Sequence, residues 1–250
     1  IIRNFLAIRS AEFCVDEVLL LIGEQASGKS TVAKLIYFFK SLRIDFFQFV
    51  VTRMRDEQFV LTLFDNNGQI PSASDFESQF LEQTRLKFLR YFGLQSDQRE
   101  SLLTYHFSET KFVQIVSSPS DSMTVTFSPD FAQSLFAKLP DLIRLWKENN
   151  KRFKELRVLP LGLPLDEISV LVNSAFEETR SLLFIPAYRG VAVMFPNQFK
   201  LSFFGDLSAD IRVRERQGNA PFIDAYLMQQ FLIEAESMRD AFVHSFDGLV

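Results

Sequence analysis

The apolar positions along the chain change their period several times, and each change marks an element. Val18 to Ile22 is an unbroken apolar run, which predicts a buried strand. Beyond it Val32, Leu35, Ile36, Phe39 and Leu42 recur at three- and four-residue steps, the stripe of an amphipathic helix over 31–43. Lys34, Lys40 and Arg43 fall off that stripe. Residues 1–22 as a whole read as two strands: Arg3-Asn4-Phe5 through Val15 alternates loosely, and Asp16-Glu17 turns into the apolar run. Residues 44–65 are rich in Phe, Val and Thr and predict strands, with Asn66-Asn67-Gly68 as a turn. Ser74-Asp75-Phe76-Glu77 is a capping box that opens a helix with Phe76, Phe80, Leu81, Phe88, Leu89 and Phe92 on its apolar face; Gly93 ends it. Three short antiparallel strands follow, at 102–107, 111–117 and 123–127. Ser128-Pro129-Asp130 starts a helix that runs, with a break at Pro140, to Trp146. Residues 147–154 are polar and read as a linker. Asp166–Glu178 is helical, 181–187 a short strand, 196–220 irregular and 222–246 a long helix.

Composition sharpens this picture in a few places. At 250 residues the pattern predicts one large α/β domain, with a helical insertion at about 72–93. The net charge of −4 gives no global basic excess for nucleic acid. Cys14 is alone and there are two histidines, so neither a disulfide framework nor a Cys/His metal cluster is available. No apolar run reaches the length of a membrane span, and a cytoplasmic location is the expectation. The 29 phenylalanines are expected mainly in the core.

The chemistry is concentrated in one octet. Gly23-Glu24-Gln25-Ala26-Ser27-Gly28-Lys29-Ser30 fits the phosphate-loop pattern G-x-x-x-x-G-K-[ST] without a mismatch. Strand, loop and helix is the context in which that pattern works. Glycines let successive backbone N–H groups face inward as an anion site, and the helix N-terminus adds its dipole. Lys29 is placed for the β- and γ-phosphates, Ser30 for Mg²⁺, and Thr31 for a phosphate oxygen nearer the sugar. The implied ligands are ATP and Mg²⁺.

With Arg3-Asn4-Phe5-Leu6-Ala7-Ile8 and Ala11-Glu12-Phe13 ahead of it, the loop resembles the N-terminal half of ABC-type ATPase heads of the SMC, RecF and overcoming-lysogenization-defect kind. The string Ile185-Pro186-Ala187-Tyr188-Arg189 is similar to a strand-end motif of stand-alone bacterial ATPases in that group. The resemblance implies a P-loop NTPase with a mixed sheet, an antiparallel β subdomain and helical insertions. It also implies ATP-dependent engagement of a second head, a role in anti-phage defence or DNA repair, and a nuclease effector and DNA or RNA as partner classes. Arg3, Asn4 and Arg189 are the further site candidates it brings.

Two parts of the family pattern are missing. There is no Ser-Gly-Gln-rich signature and no apolar strand ending in Asp-Glu. Phe59–Asp65 comes nearest to the latter, but Thr62 interrupts it, Asn66 follows it, and a hairpin is its better reading. The chain begins at Ile1, so an incomplete head is expected, with the missing motifs supplied elsewhere. A non-hydrolysing scaffold is the alternative, and a P-loop kinase a weaker one, because only Arg212, Arg214 and Arg216 imitate a lid. On a strand those arginines would also form a basic stripe. Gln114 and Gln198 are distant candidates for a metal-contacting glutamine. His106 lies in an apolar strand and reads as a core residue; Trp146 reads as packing.

Overall fold

The computed structural model describes residues 1–15, 19–24, 26–64, 68–93, 100–118, 122–150, 162–180, 182–184, 223, 226–231 and 233–234. The chain divides into two compact units, 1–86 with 95–180, and 87–94 with 181–250.

The first unit is mixed α/β and built on a five-stranded sheet of order β2-β1-β3-β4-β5. β1 (Ile2–Phe5) and β2 (Ile8–Ala11) form a tight hairpin in which Phe5 faces Ile8. Leu6 at its tip has a positive φ of 50°. β3 (Ser101–His106) pairs β1, and β4 (Phe112–Ser117) and β5 (Met123–Phe127) complete a meander. Every described pairing is antiparallel, whereas a mixed sheet was expected. Alternation places Leu103, Val113, Ile115, Met123 and Val125 inward.

Helix α1 (Lys29–Arg55) is the backbone of the unit. It overturns the expected strands at 44–65: the helix begun after the loop continues for 27 residues. The reason is periodic. Leu42, Phe46, Phe49, Val50 and Met54 extend the buried stripe of Leu35, Phe38 and Phe39 at helical steps. No Gly or Pro interrupts it. Asp56 leaves the helix with extended backbone and caps α2 (Glu57–Phe64), its Oδ1 accepting from the Phe59 N–H at 3.0 Å. The segment expected as a hairpin or acidic strand, 59–65, is therefore helical over its described length. Gly68 is required behind it, since a Cβ there would lie 2.1 Å from the Thr62 carbonyl oxygen.

The cap of α3 (Ala73–Phe92) lies two residues before the expected one. Ser72 is the cap and Asp75 its reciprocal partner: the Asp75 N–H donates to Ser72 Oγ at 3.2 Å, and the Ser72 N–H to Asp75 Oδ2 at 2.9 Å. Gly93, with a φ of 74°, ends it. α4 (Pro129–Phe136) is capped by the buried Ser128, and α5 (Leu139–Asn149) and α6 (Leu165–Phe176) follow. α5 takes in the start of the expected linker. Trp146 does pack, against Phe64, and donates from Nε1 to the Gly162 carbonyl at 3.1 Å.

The phenylalanines form the centre. Phe46 meets Phe80 at 5.0 Å and Phe136 at 5.4 Å; Phe131 meets Phe107 at 5.0 Å and Phe176 at 5.1 Å. Most of these pairs are edge-to-face, the arrangement the ring quadrupole favours. One cluster thus ties α1, α3, α4 and α6 together over the sheet.

In the second unit, Tyr91 stands 5.0 Å from Tyr226, and residues 226–231 are helical. Of the expected strand at 181–187, residues 182–184 are not strand, and the rest lies outside the described residues.

Candidate phosphate-binding loop

Residues 19–22, expected as a buried strand leading into the loop, form none. Leu20 is 76% exposed and Ile22 85% exposed. No described strand pairs with them, although β2 and β5 are the edges of the sheet.

The loop itself has defined geometry. Gly28 caps α1 in the left-handed region at φ 91°, ψ 4°, and Ala26 is also left-handed at φ 62°. Gly28 is fixed for a second reason: a Cβ there would come within 2.7 Å of Ile8 Cγ1 on β2. The hairpin therefore presses on the pivot of the loop. Gly23 is close-set too, with Ser27 Oγ 3.2 Å from where its Cβ would be.

The loop curls around the Lys29 ammonium. Lys29 Nζ donates to the Gly23 carbonyl at 2.7 Å, to the Glu24 carbonyl and to Ser27 Oγ at 3.0 Å. These take all three ammonium protons. α1 begins with no side-chain cap and no acidic residue in its first turn. Its first N–H groups lack intrahelical acceptors, and its dipole presents positive charge there. A phosphate oxygen entering this loop would exchange a neutral carbonyl for a charged acceptor at Lys29, and charge-assisted hydrogen bonds are roughly twice as strong as neutral ones.

Ser30 is exposed and Thr31 half-buried on the first turn of α1. The described residues contain no group of three or more His, Cys, Asp and Glu side chains able to hold a metal. Ser30 Oγ is an oxygen of the kind that a Mg²⁺ could take beside phosphate oxygens and water. The remaining candidates separate. Arg3 is exposed on β1, in register with Ser10 and Leu102. Asn4, with φ 49°, donates from Nδ2 to the Glu100 carbonyl at 3.1 Å, a tie between β1 and the approach to β3. Gln114 donates to Thr104 Oγ1 at 3.4 Å. His106, expected in the core, is exposed at the end of β3 beside the Phe112 ring, because the strand's buried positions end before it. Gln25, Arg189, Gln198, Arg212, Arg214, Arg216 and His244 lie outside the described residues.

A feature absent from the sequence reading is a polar clamp at the end of α6. Lys40 donates to Glu178 at 3.0 Å. Arg43 donates to Asn173 Oδ1 and to the Glu178 carbonyl, each at 3.0 Å, and to the Arg180 carbonyl at 2.6 Å. Lys111 donates to Glu177 at 2.8 Å. The Lys40 hydrogen bond holds the Glu178 carboxyl below its ordinary range against the opposing effect of burial. Tyr105 stacks on Phe39 at 5.2 Å; burial, helped by the Glu178 charge, pushes its phenol up to about 12. Lys40 and Arg43 were visible in the sequence only as off-stripe charges, since their partners lie 130 residues or more away.

Compared with protein-family models, with curated proteins and with solved structures, the chain matches none of them.

Proposed function

We propose that residues 23–31 bind the phosphate chain of a nucleoside triphosphate, ATP with Mg²⁺, and that the chain is the ATP-binding subunit of an ABC/SMC-like head. One observation carries the binding reading: the Lys29 ammonium is held inside a glycine-bounded loop at the uncapped start of α1. In this reading Lys29 turns from the Gly23 and Glu24 carbonyls to the β- and γ-phosphates, the first N–H groups of α1 meet phosphate oxygens, and Ser30 Oγ completes the Mg²⁺ shell. Bound there, the metal would be held by Ser30 Oγ and would supply positive charge that offsets that of the phosphates. A second head closes over the γ-phosphate, and the resemblance of residues 3–13 and 185–189 points to defence against phage or DNA repair, with a nuclease as effector.

Loss of ATP affinity in Lys29→Ala, measured by equilibrium dialysis with Mg²⁺, is the test. Unchanged affinity overturns the site. A second reading, binding and assembly without hydrolysis, is favoured by 59–64: this described part of the nearest sequence to an acidic catalytic strand lies in helix α2. Nucleotide-dependent assembly without phosphate release separates it from the first.

A further inference from the structure

Arg53 and Asp56 carry opposite charges three residues apart, yet they do not pair. Elsewhere on this fold the same spacing closes: Arg85 holds Glu82 at 2.7 Å and Arg144 holds Asp141 at 2.6 Å. The difference lies at the end of α1. Asp56 has left the helix with extended backbone, and its Oδ1 accepts from the Phe59 N–H to cap α2. The Arg53 guanidinium is drawn elsewhere: Nη2 donates to Gln79 Oε1 at 2.7 Å, and the group lies 5.5 Å from the centre of the Phe59 ring. None of the described carboxylates pairs with it. Its Nε is buried and has no hydrogen-bond partner among the described residues, an unmet donor that an acceptor would stabilise. Both charges line one recess of about 380 Å³ between α1 and α3, together with Gln48, Thr52, Gln79 and Gln83. It lies at the opposite end of α1 from the phosphate loop. Gln48, Thr52 and Gln83 are exposed, and their side chains make no hydrogen bond among the described residues.

We propose that this recess binds a free α-amino acid with a polar side chain, as its zwitterion. The α-carboxylate takes the Arg53 guanidinium, whose planar fork matches it bidentately. Nε is closed off in the ligand-free arrangement, so the side chain turns to present it and the unmet donor gains its acceptor. The α-ammonium goes to Asp56, whose second carboxylate oxygen is not used by the α2 cap. The two residues stand about one helical turn apart, close enough for one small molecule to bridge them. The amides of Gln48, Gln79 and Gln83 and the Thr52 hydroxyl offer donors and acceptors to an amide or hydroxyl side chain. Asp56 also sets the class of ligand: its charge repels phosphate and other simple anions, whereas a zwitterion meets both charges of the recess. The size is that of a small-molecule site. Nucleotide at 23–31 is not needed for this binding.

The test is equilibrium dialysis of the full chain, without nucleotide, against radiolabelled asparagine, glutamine, serine and threonine, each alone at millimolar concentration. At least one of them should bind. Arg53→Gln should weaken that binding by about tenfold or more. The analogue lacking the α-ammonium should bind the parent about tenfold more weakly than the amino acid does. Asp56→Asn keeps an acceptor for the α2 cap and should abolish that preference. Binding of none of the four overturns the proposal. So does equal binding of the deaminated analogue or of inorganic phosphate, which would make the recess an anion site. Unchanged affinity in Arg53→Gln, or a preference that survives Asp56→Asn, would put the amino acid elsewhere. Should Arg53→Gln fail to fold by circular dichroism, Arg53→Lys takes its place: it keeps the charge, loses the fork and should weaken binding likewise.

Discussion

Replacing Gly28 with alanine probes the loop where its geometry is most constrained. Two costs arise. An L-residue held at φ 91° carries a left-handed penalty of about 1–2 kcal/mol. The new Cβ would also sit 2.7 Å from Ile8 Cγ1, and Ile8 is buried and pinned by its pairing with Phe5. Such overpacking costs about 1–3 kcal/mol. Together they give about 2–5 kcal/mol, a fall in Tm of roughly 5–15 °C for a chain of this size. Thermal and urea unfolding followed by circular dichroism measure it. A double-mutant cycle then separates the terms. Ile8→Ala alone leaves a cavity and costs about 2–5 kcal/mol. In the Gly28→Ala background it also removes the clash, so it should cost about 1–3 kcal/mol less, while the left-handed penalty remains. A Gly28→Ala protein as stable as the parent, or strictly additive effects in the cycle, would refute the contact between hairpin and loop.

Other expectations concern the scaffold. Phe46→Ala removes the ring that links α1 to α3 and α4 and should destabilise by about 3–5 kcal/mol in urea unfolding; a loss under 1 kcal/mol would contradict the shared cluster. Ser128 Oγ accepts from the Phe112 N–H at 3.0 Å as well as capping α4, so Ser128→Ala should cost about 1–3 kcal/mol, more than an exposed cap, by the same measurement. The Tyr105 phenol, raised to about 12, favours its neutral form in the fold. Its contribution is fully present below the ordinary value of 10 and is lost as pH rises through about 12. The difference between ultraviolet titrations of the parent and Tyr105→Phe should show this late phenolate, and ionisation near 10 would refute the burial.

The sequence was read best where local signals agree. The strands at 101–127 are short, alternate cleanly and are separated by turns, and Ser128-Pro129 and Gly93 act on the residues next to them. It was read worst where composition and period conflict. Phe46, Phe49 and Val50 are good strand formers, yet their spacing continues the stripe of Val32 and Leu35; period won, because one buried face on a long helix satisfies them all. The capping box was misplaced by two residues because Ser72-x-x-Asp75 and Ser74-x-x-Glu77 both match, and only the observed hydrogen bonds distinguish them. At the candidate site, Gly28 and Lys29 were legible as a motif. Their anchoring to Ile8 was not, since it depends on how the hairpin turns. The clamp on Glu177 and Glu178 was hidden for the same reason: its donors come from distant segments.

The 27-residue reach of α1 joins two tasks in one rigid body. About 40 Å of helix runs from the loop, through the aromatic cluster, to Arg53 and Asp56 at its far end. Such a rod cannot yield locally at its middle without breaking the core. A twist or push applied at Lys29 would arrive at Arg53, which holds Gln79 of α3, as a rotation of the whole axle rather than as a relay of separate side-chain movements.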